Sequence, residues 1–434
     1  MTFAQRKTAA CERPRDKQTE KGQREFLMRK NILLSVGLFL LAGMILHAQS
    51  KQGLYVGDAF QGEMDLYDSL DWIAANAQDG GEYSIVLGAS SAASSSVLDY
   101  GGKSVTVSLK SSGETLQVSY ATRSPSSSLF TVKEGVTFVL EKGVELVGRP
   151  SASRPPVTVD GGNFIMNGGA VKDSNVDHSR DWLGGGVNIV LGTFTMNDGV
   201  ISGNSCDSGA GVHVGENTTF IMNGGSISSN SARDEYEYAG AQGGGVYVNG
   251  TFTMNDGVIS NNVCRTKEGS THKQGGGVHV SKSGTFVMQG GIIKNNSDRG
   301  IYVGSYSDFM RHQSGGVTMN GGVISRNSAT EYASGGGGVH VGGVSRYGTF
   351  TMNDGTISGN STTKSGGGVF VTTGTFTKSN TAGVIYGGDA AEDKANKANQ
   401  YGHAVYTKNG SRDTTARATM ALDSKKQGAE GGWE

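Results

Sequence analysis

The chain has 434 residues, of which 70 are Gly and only 5 are Pro. That Gly content is far below the one third, with abundant Pro, of a collagen triple helix, and Gly plus Pro stays below the level that marks low-complexity disorder. Lys plus Arg (38) and Asp plus Glu (39) leave a net charge of −1, which argues against nucleic acid as the main partner.

Residues 1–27 are polar and highly charged. Met28-Arg29-Lys30 then precedes an apolar run from Ile32 to Leu46 and the small residues around Ala48 and Ser50. Positive residues, a short apolar stretch and a small-residue exit form the pattern of a secretory signal peptide over 28–50, with Met28 as the start and 1–27 as an upstream extension. The run is short for a membrane-spanning helix, and no Cys follows it before Cys206, which argues against a lipoprotein anchor. Export is therefore expected, with no transmembrane span in the mature chain; an uncleaved N-terminal anchor is the alternative.

Residues 51–160 are weakly periodic. Asp65 to Ala77 places Leu66, Leu70, Ile73, Ala74 and Ala77 on one helical face, which predicts a short amphipathic helix able to cap a stack of strands. Strand-like runs follow at Tyr83–Leu87, Ser104–Lys110, Thr115–Tyr120, Leu129–Val132 and Val136–Val147, read as irregular first coils.

Length alone predicts two or three domains; an internal repeat overrides that. Thr193–Gly199, Thr251–Gly257 and Thr349–Gly355 are identical, Thr-Phe-Thr-Met-Asn-Asp-Gly. Looser copies sit at Phe164, Phe220, Phe286, Val317 and Phe376, so successive copies are 30, 26, 32, 34, 31, 33 and 26 residues apart. In each unit Phe and Met stand two apart on one face of a strand. An Asn-Asp-Gly or Asn-Gly-Gly turn follows, then an Ile strand, then a turn carrying Asn204, Asn230, Asn262, Asn296, Asn327 or Asn360. A variable polar loop and a Gly-rich lead-in open a Val-x-Val strand. Three short strands per unit, with no helical period, predict one coil of a parallel β-helix stacked at ~4.8 Å. Stacking turns equivalent residues into columns, and the turn Asn residues into a structural amide ladder. Regular coils are expected over 161–386, with a final strand and C-terminal cap over 387–434.

The chain resembles right-handed parallel β-helix repeat proteins of the pectin-lyase-like fold. Through its Gly-Gly-Gly-Val and Ile-Ser-x-Asn repeats it is similar to the polymorphic outer-membrane protein repeats of secreted and surface bacterial proteins. The resemblance covers about residues 160–410. It implies a right-handed coil, in keeping with parallel crossovers in general. It also raises polysaccharide cleavage, since relatives of the fold cut pectins with clustered Asp residues or Asp-bound calcium.

The Asp residues of the repeat turn, Asp198, Asp256 and Asp354, lie two and three coils apart, at least ~9.6 Å by rung spacing. They are too dispersed to share a proton or one metal ion, and read as turn formers. The middle of the Val-x-Val strand is occupied in successive coils by Asn188, His213, Tyr247, His279, Tyr302, His340, Phe370 and Tyr406. Alternation with inward Val predicts an outward stripe, either a flat platform for sugars or a partner or a ladder that stabilises the sheet. No two of its His residues are adjacent, so no metal site is expected. Cys206 and Cys264 share a column two coils apart and should remain unpaired. Insertions at 233–238, 263–274, 304–315 and 342–348, with Tyr236, Tyr238, Tyr306 and Phe309, read equally as recognition loops and as neutral drift. The interior Lys378 marks a last coil giving way to a cap.

The expectation is an all-β, single-stranded right-handed parallel β-helix solenoid with a short N-terminal capping helix. It would be exported to the cell surface, outer membrane or medium, with the periplasm also open, and would be adhesive or structural, binding a host surface protein or glycan. No cofactor and no catalysis are expected; a polysaccharide lyase or glycoside hydrolase is the alternative, and an immune-variable decoy a third reading.

Overall fold

The structure is a computed structural model that describes residues 51–121, 126–176, 184–234, 240–266, 274–281, 283–304, 315–330, 335–343, 348–379 and 382–408, with the backbone of 411–412 and 432–433. The leader expected at 1–50 and the loop residues Tyr236, Tyr238, Tyr306 and Phe309 lie outside them.

The first element is a hairpin absent from the sequence reading. Strand β1 (Gly53–Val56) pairs antiparallel with β2 (Ala59–Gly62) on one side and with β3 (Gly81–Leu87) on the other. Between them lies helix α1 (Leu66–Asn76), whose N-cap Asp65 accepts a hydrogen bond from the Asp68 amide at 2.9 Å. Leu66, Leu70, Ile73 and Ala77 are buried as predicted. Ala74 is exposed and Ser69 is buried in its place, because the apolar stripe runs along 66, 69/70, 73 and 77 and residue 74 falls to its flank.

From β3 to Ser411–Arg412 the strands pair in parallel from rung to rung, forming a β-solenoid. Each Phe-Met strand pairs in register with the next, so Phe138, Phe164, Phe194, Phe220, Phe252, Phe286, Val317, Phe350 and Phe376 form one column. Their rings stack; the Phe194–Phe220, Phe220–Phe252 and Phe252–Phe286 centroids are 4.8, 4.7 and 4.6 Å apart. The column also reaches back through Val107 to Tyr83. The predicted Val136–Val147 strand is therefore two strands of a regular rung, Val136–Leu140 and Val144–Val147, parted by a turn at Gly143 (φ +87°).

Parallel columns of Met, from Met166 to Met352, and of Ile, from Ile201 to Ile385, join the paired Val residues of the Val-x-Val strands in filling the rest of the interior. The turn between them needs Gly. At Gly257 (φ +100°) an added Cβ would lie 2.6 Å from the Met222 methyl of the preceding rung, so the missing side chain makes room for the Met column. Lys378 enters the Met column opposite Met352 and is buried, its ammonium donating to the carbonyls of Ser379 and Ala382 at 3.0 and 3.1 Å. Ile385, Ala398 and Val405 complete the same coil against the preceding one, and among the described residues the next rung pairs back in parallel only through Ser411–Arg412, opposite Thr375 and Phe376.

Asn204, Asn230, Asn262, Asn296, Asn327 and Asn360 form the predicted ladder, and Asn396 extends it. In the middle of the run, the Nδ2 of Asn262 donates to Asn296 Oδ1 (3.0 Å) and to the Ile227 carbonyl (2.9 Å). Its Oδ1 accepts from the backbone and side-chain nitrogens of Asn230, both at 3.0 Å. Each ladder Asn is 0–1 % exposed, so this pairing satisfies a wholly buried amide. The residue before the ladder position is left-handed at Ser229, Asn261, Asn295 and Arg326, with φ between +54° and +57°. Such a conformation costs about 1–2 kcal/mol in a non-Gly residue, and the ladder offsets it. A second, more exposed ladder runs along the Phe-Met turn through Asn167, Asn197, Asn223 and Asn255, and again through Gln289, Asn320 and Asn353.

The two ladders should respond differently to truncation. Asn262→Ala strands buried donors and acceptors on both neighbouring rungs and is expected to cost about 3 kcal/mol or more. Asn255→Ala, at the surface, should stay within about 0.5 kcal/mol. Urea unfolding followed by far-UV circular dichroism measures both; equal effects would contradict the assignment.

Candidate functional site

The Val-x-Val strands carry the column singled out from sequence. At Val246-Tyr247-Val248, for example, both Val residues are fully buried in the core and Tyr247 points the other way. Register brings Asn188, His213, Tyr247, His279, Tyr302, His340, Phe370 and Tyr406 into one continuous line. The rings touch throughout: His213–Tyr247 stack at 4.9 Å, Tyr247–His279 and His279–Tyr302 meet edge-on at 5.2 Å, and Tyr302–His340 stack at 4.9 Å. His340–Phe370 and Phe370–Tyr406 follow at 5.1 and 5.6 Å.

The expected exposure is corrected. His213, His279, Tyr302, His340, Phe370 and Tyr406 are buried, and only Tyr247 is half-exposed. The lead-in Gly four residues before the ring is one reason. Gly366 (φ +71°) lies so close to its own coil's ring residue that a Cβ there would be 2.8 Å from Phe370 Cβ. Without a side chain, the lead-in backbone folds against the column and removes it from solvent. The line is a stacked spine rather than an open platform.

Burial sets the chemistry of its His residues. Desolvation holds His213 and His279 down at about 4 and His340 at about 3. The neutral rings of His279 and His340 hydrogen-bond the Gly304 and Gly335 carbonyls at 2.8 and 3.1 Å. Arg299 belongs to the same region and was missed in the sequence. It stands where neighbouring coils have Gly276 and Gly337, at φ +83°, and is 2 % exposed. Its Nε donates to the Gly335 carbonyl (2.9 Å) and its guanidinium lies 5.3 Å from the Tyr302 ring centroid. The available signal was Asp298-Arg299-Gly300 replacing the usual run of three Gly.

The turn carboxylates are used locally. Asp198, Asp256 and Asp354 each accept from the amide of the following Gly at 2.7 Å. Among the described residues no group of three or more His, Cys, Asp and Glu is placed to hold a metal ion. Cys206 and Cys264 are free and buried, separated by Ala232 in their column. With Val176, Ala210, Ala232 and Ala241 they form a small apolar cluster of their own. Burial raises both thiols, Cys264 to about 12, so neither is a ready nucleophile. No helix among the described residues is long and apolar enough to cross a membrane.

No protein-family model, curated protein or solved structure matches the chain.

The spine makes the fold acid-sensitive. Between the ordinary His value of 6.5 and the folded values near 4, the unfolded chain binds more protons, so stability falls as pH drops through that window. The loss at pH 4 should reach a few kcal/mol, and His213→Phe, matching Phe370 in the same column, should flatten the slope of urea midpoint against pH. In a thiol-reagent titration read residue by residue, since Cys11 is a third thiol, Cys206 and Cys264 should react only after denaturation; rapid labelling of either in the folded chain would contradict their burial.

Proposed function

We propose that this chain is an exported, non-catalytic β-solenoid that serves as an adhesive or structural scaffold. On this reading the coil is right-handed with three short strands per turn, as parallel crossovers favour. The N-terminal hairpin and α1 close one end, protecting strand edges that would otherwise pair with other chains. Export rests on the Arg29-Lys30 and Ile32–Leu46 pattern. A partner, a host surface protein or glycan, would meet the outer faces and the loops, since the aromatic spine is buried.

The observation that carries the non-catalytic reading is the use of the turn carboxylates. Asp198, Asp256 and Asp354 turn back on their own backbone. Their rungs are separated by at least one other, so no two of them flank a common point, as an acid and base pair acting on a glycosidic bond must.

The test offers the purified full chain to a glycan array and a panel of matrix proteins, with parallel assays for new reducing ends and for unsaturated sugar products. Retention on at least one surface without product release is expected. Steady release of shortened sugars would replace this reading with the polysaccharide-cleaving one.

A further inference from the structure

The column that becomes the aromatic spine begins differently. Its first positions are Val97, Thr131, Thr158 and Asn188, paired in register on successive rungs. Over the last three the surface opens into a groove of about 340 Å³. Before the rings start, the same outward face carries an exposed Val97 and the half-buried hydroxyls of Thr131 and Thr158.

Asn188 is the informative residue. It is 2 % exposed and lines the groove, yet its amide makes no hydrogen bond among the described residues. Its side-chain oxygen and nitrogen are not among the fully buried unpaired polar atoms, so they face the groove and take their hydrogen bonds from whatever fills it, whereas every Asn of the inner ladder pairs with its neighbours. Asn188 stacks instead on Thr158 and His213, neither of which completes such a chain.

Among the other lining groups Arg154 and Asp160 carry opposite charges, and the rest are hydroxylic or apolar. Ser128 and Thr158 share a hydrogen bond at 2.7 Å, and Thr131 and Ser127 add further hydroxyls. Asp160, ion-paired with Lys133 and about one-third exposed, keeps carboxylate lone pairs open to a ligand. Val190, 50 % exposed, supplies an apolar patch on the rim. The volume is at the small end of ligand sites, and the lining is more hydroxylic than the apolar walls usual for drug-like molecules.

From this we infer that the groove binds a single neutral sugar unit. The Asn188 amide and Asp160 carboxylate take adjacent ring hydroxyls, the Ser and Thr hydroxyls take others, and Val190 meets the C–H face of the ring. The inference rests on the reading that the chain binds glycans without cutting them, and adds where and what it binds. The unit is either a free monosaccharide or one residue of a longer glycan crossing the open groove.

The experiment is saturation-transfer NMR on the full chain with methyl glycosides of glucose, galactose, mannose and N-acetylglucosamine, and with oligomers of each. Reducing ends are measured in the same samples. Transfer to at least one probe is expected, with affinity reduced about tenfold or more in Asn188→Ala and in Asp160→Ala. Stronger transfer to oligomers than to the matching monomer identifies a chain segment; equal transfer identifies the free sugar. Asn188→Ala should leave the melting temperature unchanged or raised, because the amide it removes has no protein partner; a lowered melting temperature would mark Asn188 as structural and overturn the assignment. No transfer to any probe, or transfer untouched by both substitutions, would also overturn it. Shortened oligomers would instead overturn the non-catalytic reading while leaving the sugar site in place.

Discussion

Every feature of this molecule depends on parallel strands stacking in strict register, one rung above the next. At a spacing near 4.8 Å a side chain's nearest neighbours are its own equivalents on the adjacent rungs. Residue choice is therefore decided by what a side chain does beside a copy of itself. Phe stacks on Phe with near-parallel planes. Asn is self-complementary, because one amide donates and accepts in the direction of the stack. Charged residues are poor columns for the same reason, and where they enter the interior, as at Lys378 and Arg299, they are ringed by backbone carbonyls or an aromatic face.

Much of this was legible because the repeat is written in chemically distinct letters. Phe, Met and Ile two or a few residues apart define an inward face whatever the loop lengths, and the six ladder Asn residues follow from their fixed distance after Ile. The missing parts lack such letters. Asn396 comes eleven residues after Ile385 rather than three, so its rung is hidden by an insertion. The hairpin at 53–62 is a single use of β pairing with no repeat to announce it. The exposed ladder through Asn197 and Asn223 looked like turn chemistry alone, since Asn before Asp-Gly or Gly-Gly already has a local reason to be there.

The aromatic column shows a different limit. Alternation assigned its direction correctly, away from the Val residues, but direction is not exposure. Whether an outward residue meets water depends on what the preceding backbone does, and the Gly residues four positions earlier bring that backbone down onto the rings. The sequence contained both facts separately. Only the geometry of a positive φ at those Gly residues joins them, and that joining moves the candidate contact surface from the rings to the Thr158–Asn188 groove.

The two amide ladders differ in one further respect. In the inner one each Nδ2 is directed to the following rung, Asn204 to Asn230 to Asn262. In the outer one each Nδ2 is directed to the preceding rung, Asn255 to Asn223 to Asn197. Aligned amides polarise one another along a chain and sum to an axial dipole, as peptide units do in a helix. Here two such dipoles run side by side with opposite sense, the outer one interrupted between Asn255 and Gln289, so each chain gains its own reinforcement while the outer field opposes the inner one. Lengthening the rod by further rungs would extend both chains together, so the charge that the inner amides build up at the two ends is countered by the outer ones.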